Sequence, residues 1–217
     1  MRFKLSAWWL VVPCLVLIGL LFSHPLDAGT DIRTGSLLMR DDFSNPESGW
    51  DTWRNEKSQA SYEDGGLRLA VVKPQLDIWS RPDGSYDDVR MEVDAVKLSG
   101  PTQNDFGLIC RYQDGDNYYA LLAGSNGSAG IMKVKDGEAY FINTADEQAK
   151  ELIYPGEELN HLRGDCIGSR LILSVNGQKL VEARDRDFKE GGVGLMAGSF
   201  ETGGVELLFD NFLVYNP

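Results

Sequence analysis

Three kinds of side chain in this sequence could do chemistry: alternating carboxylates, a histidine, and aromatic rings on strand-like runs. The carboxylates stand in Glu92-Val93-Asp94-Ala95-Val96-Lys97. In an extended strand Glu92 and Asp94 point to one face. Two carboxyls astride a glycosidic bond cleave it when one attacks and the other delivers a proton. The partner position here is Val96 or Lys97, and neither can deliver that proton. The same spacing describes a solvated strand face (Asp88, Arg90, Glu92, Asp94) opposite a buried stripe of Val89, Met91, Val93 and Ala95.

The remaining motifs divide between catalysis and binding. A nucleophilic triad needs a histidine beside its nucleophile. His161, beside Asn160 and Leu162, is the only histidine past residue 24, and its neighbours suit a surface position. There is no phosphate-binding loop, dinucleotide fingerprint or histidine-rich metal box. Asp114-Gly115-Asp116-Asn117 has calcium-loop residue types, but Tyr118-Tyr119-Ala120-Leu121 follows where further oxygen ligands should stand, so a hairpin turn is expected. Among the aromatics, Trp79 shares a strand face with Asp77 and Arg81, which suits a platform on which a sugar ring stacks between polar groups. Alternation puts Arg111 with Gly107 and Ile109, Tyr112 with Cys110, and Tyr119 with Asn117 and Leu121. Trp79, Arg111 and Tyr119 are the candidate ligand-binding set.

Charge and cysteine usage narrow the partners. The 217-residue chain carries a formal net charge of −12, which repels phosphate backbones and argues against nucleic acid as a partner. Cys110 and Cys166 are the pair left beyond Cys14, each in a strand-like run. In an oxidising compartment such a pair reads as a disulfide, worth about 4 kcal/mol by chain entropy. The alternative is two buried thiols. Zinc-ligand spacing is absent.

The compartment is read from the N-terminus. Arg2 and Lys4 precede an uncharged run from Leu5 to Phe22. That is an export signal, cleaved after Ala28, or an uncleaved membrane anchor, and either places the rest outside the cytoplasm. Cys14 follows Pro13, which does not suit a lipoprotein cleavage site. The expected organisation is a signal or anchor over 1–28, a short linker over 29–36, and a single domain over 37–217.

That domain must position the candidate residues, and it reads as strand after strand. Short apolar or alternating runs cover 66–72, 75–80, 88–96, 105–113, 117–124, 129–135, 138–144, 170–177, 192–199 and 205–215. Asp64-Gly65, Asp136-Gly137 and Asn176-Gly177 separate them, supplying the positive φ of tight hairpins. A helical turn is expected only within 146–152. This pattern predicts an all-β, two-sheet antiparallel sandwich.

In combination, the runs 40–50, 106–121, 168–185, 191–200 and 209–215 resemble the concanavalin A-like jelly rolls of bacterial exported proteins, the lectin/glucanase group that includes laminin-G-like and 3-keto-disaccharide-hydrolase-type domains. The resemblance implies a curved double sheet whose concave face Trp79, Arg111 and Tyr119 would line. Residues 92–97 are similar to the glucanase Glu-x-Asp-x-(x)-Glu strand, without its last Glu. Related jelly rolls also imply a structural calcium where the terminal strands meet, here with Asp41, Asp42 and Asp210. No other cofactor is expected. The function expected is a non-catalytic, extracytoplasmic binding module for carbohydrate or another cell-envelope ligand, with the membrane touched only through an uncleaved N-terminal segment. The alternatives are a glycoside-cleaving enzyme, glucanase-like or 3-keto-glycoside hydrolase-like, and a purely structural envelope module.

Overall fold

The computed structural model describes residues 35–145 and 147–217. The expected export segment, residues 1–28, and most of the linker lie outside the described residues. The described chain forms β1 (Ser36–Asp41), β2 (Trp53–Arg54), β3 (Ser58–Glu63), β4 (Gly66–Val71), β5 (Leu76–Ser80), β6 (Val89–Ser99), β7 (Asn104–Asp114) and β8 (Asn117–Ala123). After these come β9 (Ala129–Lys135), β10 (Glu138–Thr144), a 3-10 turn (Glu147–Glu151), β11 (Asn160–Ile167), β12 (Arg170–Val175), β13 (Gln178–Arg184), β14 (Gly192–Ser199) and β15 (Val205–Asn216).

Two antiparallel sheets result, which makes the chain the sandwich that the strand pattern predicts. One is nine-stranded, in the order β13-β12-β11-β6-β15-β4-β3-β2 with β1 also on β15; the other is six-stranded, in the order β10-β9-β8-β7-β14-β5. Hairpins fix the register. Asp64-Gly65, Asp136-Gly137 and Asn176-Gly177 all have positive φ, the backbone of the tightest antiparallel turn. Among the described residues no helix is long and apolar enough to cross a membrane.

The core lies between the sheets. Val89, Met91, Val93 and Ala95 of β6 point inward as alternation predicts, against Leu108, Leu121, Leu195 and Ala197 of the six-stranded sheet. The disulfide forms: Cys110 of β7 bonds Cys166 of β11, so one covalent link ties the two sheets across the core.

Beside that link β7 breaks its alternation. Its pairing with β8 is regular to Cys110↔Tyr119 and resumes only at Asp114↔Asn117. In the bulge Arg111 is left-handed, φ +52°, a backbone unfavourable for a residue with a Cβ. Arg111 therefore turns inward like Cys110, and Tyr112 turns outward with Ile109. The guanidinium is 1% exposed and is met by acceptors on every side. It donates to Phe188 O at 2.9 Å, Asp88 Oδ1 at 3.2 Å, and the carbonyls of Cys166 and Asp87 at 3.4 Å each.

Tyr119 also points inward and is fully buried. Its hydroxyl donates to Asp185 and accepts from the Phe188 amide at 3.2 Å. Lys133 of β9 joins this cluster through Asp185 and Asp187. Burial disfavours its charge, yet the hydrogen bonds to the two aspartates carry its pKa above the usual lysine range. The segment after β13 is thereby pinned over one end of the sandwich.

Two outcomes follow. Replacing both Cys110 and Cys166 by Ala is expected to lower the unfolding free energy by about 4 kcal/mol in a urea titration. Arg111→Ala, which orphans buried carbonyls, is expected to cost about 3 kcal/mol by the same measurement.

Candidate functional site

The outer face of the six-stranded sheet carries the molecule's second apolar cluster. Ile109, Tyr118, Ala120, Leu122, Met132, Val134 and Met196 pack there, with Trp79 and Tyr112 against them. Trp79 projects from β5 on the face that alternation assigned it. It stands opposite Met196 of β14, and Gly115 of the β7–β8 turn lies beside its ring. The Trp79 ring stands 5.5 Å from that of Tyr118 and 6.3 Å from that of Tyr112. Tyr112 and Tyr118 stack on each other at 5.8 Å. Arg81 lies over the Tyr112 ring, 3.8 Å from its centre, along Gly192 and Gly194. The guanidinium thus gains the ring face, while its Nε has no hydrogen-bond partner in the protein.

Further along the same face two carboxyls meet. Gly198 of β14 stands between Asp77 of β5 and Asp105 of β7. A methyl group on Gly198 would be 2.0 Å from Asp105 Oδ1 and 2.3 Å from Asp77 Oδ1, so the two acids face each other across the glycine. Asp105 is only 9% exposed and its Oδ1 has no protein partner. Burial, then the nearby Asp77, pushes its pKa up to about 7; burial alone raises that of Asp77. Tyr118 is shifted upward too, first by burial and then by Asp77. The pair lines a groove of about 590 Å³ with Gln75, Met132, Phe141 and Phe200.

The expected trio does not come together. Trp79 lies on this outer face, whereas Arg111 and Tyr119 belong to the inner face and bind the protein itself. The bulge defeats the alternation that placed Arg111 with Ile109, and the hydroxyl of Tyr119 needs Asp185. The aromatic partners of Trp79 are instead Tyr112 and Tyr118. Asp105 carried no signal of its own, because an aspartate at the start of one strand gains its neighbour only through β14.

The Glu92–Asp94 strand lies in the other sheet, on its outer face. Cross-strand pairing sets Glu92 opposite Arg163, Asp94 opposite His161, and Arg90 opposite Asp165. His161 Nδ1 is 2.8 Å from Asp94 Oδ1, and its Nε2 is 3.8 Å from Glu92 Oε2. Arg90 bonds Asp165 at 2.7 Å. The face is not the solvated one that alternation suggests: Glu92 and Asp165 are buried in it, while His161 and Arg163 are more open.

Of the three aspartates considered for calcium, Asp41 is turned away from the other two, while Asp42 and Asp210 lie near enough for their charges to interact. Asp41 and Asp42 are consecutive, so they point to opposite sides. Asp41 turns inward, accepting from the Trp50 indole at 2.9 Å and the Phe43 amide at 2.8 Å. Asp42 faces out and accepts from Ser44. Asp210 stands opposite Asp94 on the neighbouring strand. Among the described residues no three or more His, Cys, Asp or Glu side chains gather as metal ligands. Asp114-Gly115-Asp116-Asn117 is a hairpin turn, with Asp114 Oδ1 accepting from the Asp116 amide.

No family model matches the chain, and no curated protein matches it. Solved structures do. A carbohydrate-binding module, CBM66, from Bacillus subtilis is 19% identical with a TM-score of 0.63, the match spanning 78% of this chain and 96% of that one. A galectin-like protein of unknown function from Bacillus subtilis is 13% identical with a TM-score of 0.64, spanning 83% and 96%. A beta-glucanase from Bacillus licheniformis is 13% identical with a TM-score of 0.58, spanning 85% and 99%. The chain has the concanavalin A-like jelly-roll fold that these structures share.

The acid pair makes a thermodynamic prediction. Asp105 keeps its proton up to about pH 7 in the folded protein, against an ordinary 3.8. The folded state then binds more protons than the unfolded state between these values, so stability falls as pH rises through that window. Asp105→Asn is expected to flatten this fall and to raise stability at pH 8 by up to about 4 kcal/mol, read from melting temperature against pH.

Proposed function

We propose that this protein is an extracytoplasmic carbohydrate-binding module whose ligand lies along the outer face of the six-stranded sheet. The observation that carries the reading is the Trp79–Tyr112–Tyr118 cluster, in which Trp79 and Tyr112 are partly exposed and Tyr118 is buried, beside the groove that Asp77 and Asp105 line. Aromatic rings take the C–H face of a sugar, while Arg81, Gln75 and the two aspartates offer hydrogen bonds to hydroxyls. The disulfide supports an oxidising compartment. One protein of similar structure, CBM66, is a carbohydrate-binding module.

A second reading, glycoside cleavage, rests on Asp77 and Asp105. Such chemistry needs two carboxyls close together, one able to hold a proton near neutral pH. The pair at Gly198 has both features.

One experiment addresses both. The purified protein is titrated against a panel of oligosaccharides, and the mixtures are assayed for released reducing sugar. Saturable binding is expected, with no product. Trp79→Ala should weaken it by about tenfold, the worth of one stacked ring, while Glu92→Gln on the opposite sheet leaves it unchanged. Released sugar that disappears in Asp105→Asn would establish the enzyme instead. A folded protein that binds no glycan would sink the first reading.

A further inference from the structure

We infer that the Asp77–Asp105 pair is a receptor for an ammonium group, so that the preferred glycan carries free amino sugars of the glucosamine type. The inference deepens the proposed glycan-binding reading and rests on it. It begins with a buried oxygen. Asp105 Oδ1 lies in the groove wall, nine-tenths buried, with no donor from the protein. An unpaired buried acceptor is costly, and a ligand donor relieves that cost.

The surroundings specify the donor. The charged or titratable groups facing Asp105 are Asp77 from β5, Glu201 after β14 and the Tyr118 hydroxyl from β8. No Lys, Arg or His is among the described residues that line the groove. Two acids without a cation repel each other and share a proton. A positively charged donor replaces that proton and satisfies both. The missing side chain at Gly198 lets the two carboxyls approach each other over the strand, so one donor in the groove can reach both. Phe141 and Phe200, each about half exposed, border the groove and offer ring faces that favour a cation. A primary ammonium has three donors, enough for both carboxyls and one further acceptor. Calcium asks for six to eight oxygens, and no cluster of three ligating side chains gathers here. The formal charge of −12 draws cationic polymers towards the surface. The sugar rings would continue onto Trp79, two residues along β5.

The test uses the purified protein and three oligomers of equal length: glucosamine hexamer, N-acetylglucosamine hexamer and cellohexaose. Calorimetry at pH 6 in buffers of different ionisation enthalpy reads affinity and proton release together. The glucosamine hexamer is expected to bind about tenfold or more tighter than the others, the worth of a charge-assisted hydrogen bond, and to release close to one proton. Asp105→Asn and Asp77→Asn should each remove both the preference and the proton release. Asp77 lies on an exposed edge strand, so its variant is the safeguard should Asp105→Asn fold poorly.

Equal affinity for all three oligomers overturns the inference. So does a preference that survives both variants, which would be general charge attraction, or binding that requires added calcium. Trp79→Ala separates the two levels. If it abolishes binding of neutral oligomers that showed no disadvantage, the glycan reading stands and the ammonium receptor falls. If wild type binds only glucosamine, in a manner sensitive to Asp105→Asn but not to Trp79→Ala, the receptor stands and the platform reading falls.

Discussion

A guanidinium can be buried only where acceptors already surround it, and the order of this sandwich follows from meeting that demand at Arg111. Carbonyls from three separate segments and the Asp88 carboxylate converge on it. To reach them the backbone adopts a left-handed turn, and that turn converts strict alternation into a bulge. The consequence on the outside is as large as that on the inside. Two successive residues face the core, so the next, Tyr112, emerges beside Tyr118 and under Arg81. The interior charge and the exterior platform are two results of one backbone irregularity, placed one residue from the covalent link between the sheets.

The two sheets then do different work on their outer faces. The outer face of the nine-stranded sheet carries cross-strand polar pairs, Arg90 with Asp165 and His161 with Asp94. Asp94 also faces Asp210, and Glu92 stands 3.8 Å from His161 Nε2, but no aromatic cluster like that of Trp79 accompanies them. The six-stranded sheet shows aromatic rings and two acids that lack partners. Unmet polar groups beside apolar surface are what a binding face needs, and the asymmetry separates scaffold from site without a change in fold.

Legibility in the sequence followed the same division. Hairpins carrying Asp-Gly and Asn-Gly, and strands with regular alternation, could be placed along the chain, and Trp79 could be assigned its face from Asp77 and Arg81 alone. The pairing of Cys110 with Cys166 was also accessible, from count and compartment. Arg111 was not, because a bulge leaves no mark in a run such as Phe-Gly-Leu-Ile-Cys-Arg-Tyr. Tyr119 was assigned correctly to the face of Leu121, but which face that was depends on packing. Asp77 and Asp105 are 28 positions apart in numbering and meet only across a strand from near the end of the chain. No local pattern encodes that meeting.

Gly198 lies in extended backbone, so its conformation is open to any amino acid, and a glycine inside a strand weakens the strand. Its presence serves space rather than shape. The sheet would accept a larger residue there by backbone criteria alone; the two acids would not. The glycine at this one position therefore decides what the outer face can hold. A side chain there would leave the sandwich its backbone and take from it this arrangement of carboxyls, so the smallest residue in the strand holds the space that the largest consequences need.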